Sequence, residues 1–331
     1  MTTMLELVER FPAQLKEAVQ IGEAANISKS ANPIRNVFVS GLGGSGIGAN
    51  FVQELVRGEI KVPFSVGKSY DIPAYVNKFT LVILSSYSGN TEETLFAFDA
   101  ALKTGAKIVC ITSGGKLLAR AKELGLNYVQ LPDNWPSPRA CLGFSLVQQL
   151  YILHKLKLIS SRIIRQLPGA TALIEKNQEA LKKEAQKIAA QLYGKTPIIY
   201  STDRIESVAV RFRQQLNENS KILCWHHVIP EMNHNELVGW TGDYSQMVPV
   251  FLRNKDDYPR NAVRIDIIKK VMSEHTKTIV ELWSKGKNDV EQRMYLVHLT
   301  DFVSCYLSDL RGQDSIEIRV IDYLKGELAK V

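Results

Sequence analysis

The chemistry of this chain starts at Val37-Phe38-Val39-Ser40-Gly41-Leu42-Gly43-Gly44-Ser45-Gly46-Ile47-Gly48. Four strand-forming residues lead into five glycines within eight positions, and residues 49–56 follow with helical spacing. A strand, a tight turn and a helix N-terminus aim free backbone N–H groups and the positive end of the helix dipole at one point, where an anion fits. Glycine lets the ligand reach the backbone, and Ser45 adds a hydroxyl donor. A second stretch, Ser86-Tyr87-Ser88-Gly89-Asn90-Thr91, follows the apolar run Leu81-Val82-Ile83-Leu84. Its hydroxyls and glycine can surround a phosphate at the C-terminal end of a parallel strand. An ordinary strand-to-helix turn capped by Ser or Thr would have the same residues. Two such turns in one sheet favour a phosphate, held by Gly43, Gly44, Ser45, Ser86, Ser88 and Thr91.

Two nucleotide readings fail. Gly41, Gly43 and Gly46 satisfy G-x-G-x-x-G, but a dinucleotide fold also needs an acid roughly 20 residues on, at the end of the second strand. That strand, residues 60–66, runs instead into Gly67-Lys68-Ser69. The triplet resembles the tail of a P-loop, yet Val62 occupies the required earlier glycine position. His226, His227, Glu231, His234 and Glu236 invite a metal reading, but no pair has the H-x-x-x-H spacing of a helical zinc site. Neither a metal nor a cofactor is expected.

These turns must be carried by a sizeable scaffold. The 331 residues suit two domains. With 45% apolar and 23% charged residues the composition is that of a soluble globular protein. No apolar run approaches the ~20 residues of a membrane span. Met1-Thr2-Thr3-Met4-Leu5-Glu6 lacks the pattern of a secretory signal. Cys110, Cys141, Cys224 and Cys305 form no C-x-x-C, and a reducing cytoplasm fits them. The formal charge of +7 favours anionic ligands. No basic run of five or more points to nucleic acid, and small phosphorylated substrates remain compatible with the charge.

Residues 5–25 have helical spacing, and Pro12 should split or start a helix there. Apolar strands at residues 36–40, 60–66, 80–85, 107–112 and 127–131 then alternate with helices, which predicts a parallel, doubly wound α/β sheet. A proline-rich loop, residues 132–139, leads to a helix over 142–158. Pro168-Gly169 should break the helical pattern before a long polar helix over 170–192. The second half repeats the alternation, with strands at 197–201, 221–225, 246–252 and 278–282 and closing helices at 290–310 and 316–330. Thr202-Asp203-Arg204 stands where the first half has its glycine loop. The second half therefore reads as a diverged copy without a phosphate loop, and the expected domains are 1–158 and 159–331.

Four motifs occur in order: Gly41-Leu42-Gly43-Gly44-Ser45-Gly46, Ser86-Tyr87-Ser88-Gly89-Asn90-Thr91, Leu216-Asn217-Glu218-Asn219-Ser220-Lys221 and Pro230-Glu231-Met232-Asn233-His234-Asn235-Glu236. Together they resemble the bifunctional phosphoglucose/phosphomannose isomerase family of the sugar isomerase (SIS) superfamily, over residues 37–325. The resemblance implies two SIS-type α/β domains with C-terminal helices. It also implies a cofactor-free aldose–ketose isomerisation of glucose or mannose 6-phosphate to fructose 6-phosphate through a cis-enediolate. Glu218 matches the family's base, a role that suits a carboxylate when partial burial raises its pKa. By position alone it would be a solvated glutamate at a helix end. His234 matches the ring-opening histidine, although a lone histidine is more often structural. Arg139 matches an arginine that stabilises the enediolate; a surface ion pair is its alternative. Lys325, in Val320-Ile321-Asp322-Tyr323-Leu324-Lys325, matches a lysine near the ring oxygen, or is simply solvated. The resemblance also implies a homodimer in which His234 enters the partner's site. A sugar-phosphate sensor is the rival, but it would need neither Glu218 nor His234. Where the family often has Asp-Pro-Thr-Pro-Val before its last helix, this chain has Asp314-Ser315-Ile316-Glu317-Ile318. That departure bears on the balance between the two aldoses.

Overall fold

The computed structural model describes residues 2–328 and 330. They fall into two compact units. The first takes Arg10–Glu175 and Gly286–Met294; the second takes Lys176–Lys285 with the chain before Arg10 and from Tyr295 onward. Helix α1 (Met4–Glu9) ends before Arg10, and α2 (Phe11–Ala24) begins with Pro12 in its first turn, where a missing N–H costs no hydrogen bond.

In the first unit the chain runs β1 (Asn36–Ser40), α3 (Gly43–Val56), β2 (Phe64–Gly67), β3 (Thr80–Ser85), α4 (Glu92–Leu102), β4 (Lys107–Thr112), α5 (Gly115–Glu123), β5 (Asn127–Gln130) and α6 (Leu142–Lys155). The five strands are parallel in the order β2-β1-β3-β4-β5. β3 is buried at every position, as its unbroken apolar run requires of a strand covered on both faces. Phe38, Val82, Leu84, Phe98 and Ile108 share one core, each such side chain contributing roughly 1.5–3 kcal/mol by burial. The strand order reverses between β1 and β3, so both sequence-marked turns leave the sheet at its switch point.

α7 (Arg162–Leu192) leads into β6 (Thr196–Thr202), α8 (Glu206–Glu218), β7 (Trp225–Ile229), β8 (Met247–Arg253), α9 (Pro259–Met272), β9 (Val280–Trp283), α10 (Asp289–Leu310) and α11 (Arg319–Leu328). The second sheet is also parallel, in the order β7-β6-β8-β9. Its core gathers Ile198, Tyr200, Ile229, Phe251, Ile265 and Ile268. Pro249 is tolerated inside β8 because pairing with β9 begins one residue later, at Val250.

Four expectations are corrected. Pro168 does not break the chain: α7 runs through it. One hydrogen bond, to the Ile164 carbonyl, is lost there, but Leu167, Ala170 and Ile174 are fully buried and hold the helix. The units divide at residues 175 and 176, inside α7, rather than at 158. Residues 221–224 are not strand; β7 starts at Trp225. Lys221 takes a left-handed backbone (φ 56°), the Asn217 side chain occupies the Ile222 carbonyl, and Leu223 points outward. Finally, α3 begins at Gly43, so the glycines form its first turns rather than a separate loop.

Candidate active site

The first unit assembles an anion cradle. Gly43 has φ 50°, a left-handed conformation that side chains resist. A Cβ on Gly44 would lie 2.8 Å from the Pro138 carbonyl and 3.2 Å from Arg139 Cα, so only glycine admits that close approach. Arg139, in a one-turn helix of Pro138–Ala140, is thereby set against the α3 N-terminus, and it is buried. The Tyr87 amide donates to Ser45 Oγ (3.1 Å), which ties the two hydroxyl turns together. Ser86 Oγ and Thr91 Oγ1 share a hydrogen bond of 2.8 Å, and the Gly89 amide donates to Ser86 Oγ. Ser88 Oγ accepts from the Asn90 amide at 3.3 Å and is exposed. A hydroxyl that accepts from an amide keeps its own proton to donate. Ser45 and Ser88 therefore each keep a proton to donate. Gly43, Gly44, Ser45, Ser86, Ser88, Thr91 and Arg139 are all placed around this one sheet end.

Two residues that hold the cradle carry no chemical signature in the sequence. The Tyr87 hydroxyl donates to the Pro132 carbonyl (2.7 Å) and accepts from the Trp135 amide (3.3 Å). It thus fastens the loop that delivers Arg139. Burial raises the Tyr87 phenol well above its ordinary pKa, so it remains a donor. Fully buried Gln14, on α2, donates to the Ala140 carbonyl and accepts from the Gly143 amide, both at 2.8 Å. A glutamine facing inward among apolar residues was the only available hint.

In the second unit the equivalent switch point, between β6 and β8, is already filled by a carboxylate. Asp257 accepts from Thr202 Oγ1 and from the Asn254 amide, each at 3.1 Å. Burial pushes the Asp257 carboxyl up. A fixed carboxylate sits where the first sheet offers donors to an anion.

Glu218 is the last residue of α8 and is half-buried. Its neighbours explain the motif around it. Asn217 Nδ2 donates to the Ile222 carbonyl (2.6 Å), Asn219 Nδ2 to Ser304 Oγ (2.9 Å) and Ser220 Oγ to the Ser304 carbonyl (2.7 Å). Two turns earlier on the same helix, Arg211 grips Asp301 of α10 as a fork, at 3.0 and 2.6 Å. Both are buried; burial pushes the Asp301 carboxyl up while Arg211 pulls it back.

His234 lies in a one-turn helix, Glu231–His234, and is exposed. The segment is anchored by Glu236, which accepts from the Tyr200 hydroxyl and lies 2.9 Å from His227 Nδ1. Lys325 is exposed on α11, a helix with no buried residue. Among the described residues neither the His234 nor the Lys325 side chain makes a hydrogen bond. Also among the described residues, no group of three or more His, Cys, Asp or Glu side chains is arranged to hold a metal ion, and no helix is long and apolar enough to cross a membrane.

Residues 181–328 match the family described as bacterial phospho-glucose isomerase C-terminal SIS domain. The C-terminal domain of glucosamine-fructose-6-phosphate aminotransferase from Francisella tularensis has the same fold, with a TM-score of 0.78 at 15% identity over 95% of this chain and 98% of that one. Two parallel sheets, one with a hydroxyl-lined cradle at its switch point, define a double SIS fold of the phosphosugar isomerase kind. A bifunctional phosphoglucose/phosphomannose isomerase of Caldicellulosiruptor bescii is 36% identical over 99% of this chain and 99% of its own. Another, from Aquifex aeolicus, is 36% identical over 93% of this chain and 95% of its own. The chain belongs to the bifunctional phosphoglucose/phosphomannose isomerase family.

Proposed function

We propose that this protein interconverts glucose 6-phosphate and mannose 6-phosphate with fructose 6-phosphate at one site. The observation that carries the reading is the cradle of Gly43, Gly44, Ser45, Ser86, Ser88 and Thr91 with Arg139 packed against Gly44. In this reading the cradle holds the 6-phosphate, and His234 and Lys325 act at the ring oxygen to open the sugar. Glu218 takes the proton from C2 and returns it at C1, while Arg139 faces the charge that develops on the enediolate oxygens. Hydrogens and electrons balance within the substrate. The two aldoses differ only at C2 and give the same enediolate. Rotation about C2–C3 after ring opening presents either C2 proton to a single base.

Each hydrogen bond to the charged phosphate contributes about 1.5–3 kcal/mol, and about 1.4 kcal/mol is tenfold in affinity. Ser88→Ala is therefore expected to raise KM for both aldose phosphates together by roughly 10-fold or more. Fructose 6-phosphate formation from each aldose measures this. Unchanged KM values across Ser45→Ala, Ser86→Ala and Ser88→Ala would remove the phosphate assignment.

The protein acts in this reading as a cytoplasmic homodimer, with His234 entering the partner's site. The exposed position of His234 on an anchored segment supports the shared site, and the buried thiols of Cys110, Cys141 and Cys305 suit a reducing compartment. Mixing inactive Glu218→Gln and His234→Ala proteins is expected to restore activity as subunits exchange. Proven exchange without recovery would count against a shared site.

A further inference from the structure

Lys221 follows the helix that carries Glu218, and its backbone is left-handed, with φ 56°. Glycine or asparagine takes that conformation at lower cost. The backbone therefore gives no reason for a lysine; the side chain does. Its ammonium donates to the Glu218 carbonyl (2.5 Å) and to the Glu317 carbonyl (2.8 Å). The first is one of the carbonyls that a helix end leaves without an intrahelical partner. The second lies two residues before α11, the helix of Lys325. Arg311 strengthens the same turn by donating to the Ser220 carbonyl at 2.9 Å. One cation thus joins the turn behind Glu218 to the connector from which α11 starts.

We propose that Lys221 is a positioning residue for the isomerisation, holding the Glu218 turn in register with the connector to α11. The inference rests on the reading of Glu218 as the base. Lys221 acts through the backbone of Glu218 and needs no contact with the sugar. A loosened base misplaces the carboxylate relative to C2, and a displacement of about 1 Å costs as much as 10²-fold in rate. Phosphate binding belongs to residues of the other unit and is left intact.

The test is Lys221→Asn, which keeps the left-handed backbone and removes the ammonium. Its kcat per folded molecule is expected to fall by roughly 10–100-fold, with KM within twofold of the parent. More label should also be lost to solvent from substrate deuterated at C2. Lys221→Arg keeps a cationic donor, but a planar one that cannot serve both carbonyls from one point, and is expected to lose about threefold in kcat. A lysine that only stabilises the fold would lower the melting temperature and leave kcat per folded molecule and label retention unchanged. That result in Lys221→Asn overturns the proposal, as does an unchanged Lys221→Arg should Lys221→Asn fail to fold. Glu218→Gln is measured alongside. If it is inactive while the Lys221 variants are normal, the positioning role fails and the base assignment stands. If it is active, the base assignment itself fails.

Discussion

Glu218→Gln is expected to lower kcat by ~10²–10⁴-fold, the usual worth of general acid–base catalysis. Glutamine keeps the size and hydrogen-bonding capacity of the side chain but cannot take a proton. The surrounding turn should persist, because Asn217, Asn219 and Ser220 hold it through their own side chains and Lys221 bonds the Glu218 backbone carbonyl. Substrate binding should therefore barely change. The isotope experiment separates mechanisms more sharply than the rate does. A carboxylate that carries the proton from C2 to C1 exchanges it with water in some turnovers. Substrate deuterated at C2 should yield fructose 6-phosphate with part of its label gone. A metal-assisted hydride shift would deliver the deuterium intact, and a chelator would stop it. Full retention of label, or an active Glu218→Gln protein, would end the role given to Glu218 while leaving the phosphate cradle untouched.

Asp301→Ala is expected to destabilise the protein by roughly 3–5 kcal/mol, because it leaves a buried guanidinium without its counter-charge. Arg211 and Asp301 are both nearly inaccessible to solvent and are joined by two hydrogen bonds. Desolvating both charges is costly, and their mutual attraction offsets that cost only while both are present. Removing the pair together should be far milder. Arg211→Met with Asp301→Leu fills the space with apolar atoms and should lie near the parent, or above it, in equilibrium urea unfolding. A single Asp301→Ala loss below about 1 kcal/mol, the range of exposed pairs, would show that water reaches the site. The pair also fixes α8, whose last residue is Glu218, the base in the proposed mechanism.

Local residue order was enough for much of this protein. The unbroken apolar runs at Val37-Phe38-Val39 and Leu81-Val82-Ile83-Leu84 define buried parallel strands, because only strands covered on both faces avoid alternation. The glycines from Gly41 to Gly48 mark a helix start that can meet an anion, since side chains would block the approach. The hydroxyls of Ser86, Ser88 and Thr91 were legible because they directly follow the apolar run of a buried strand. The roles proposed for Glu218 and His234 were not legible from spacing; the proposal takes them from the family motifs. What no local pattern contains is the partner of each polar group. Arg139 lies far from Gly44 along the chain, and their contact depends on Tyr87 fastening the proline-rich loop and Gln14 fastening the start of α6. Residues 221–224 have strand composition, yet Asn217 and Lys221 bond the nearby carbonyls and hold them out of the sheet. Pro168 ends helices by rule, but the burial of Leu167, Ala170 and Ile174 outweighs one lost hydrogen bond. α10 is the closing helix its residues predict, but only the fold shows that it is buried along most of its length, with Asp301 and Ser304 bonded to α8 and the turn behind Glu218. Periodicity reports which face of a segment is apolar. Which distant donor meets which acceptor is decided only when the whole chain has closed around them.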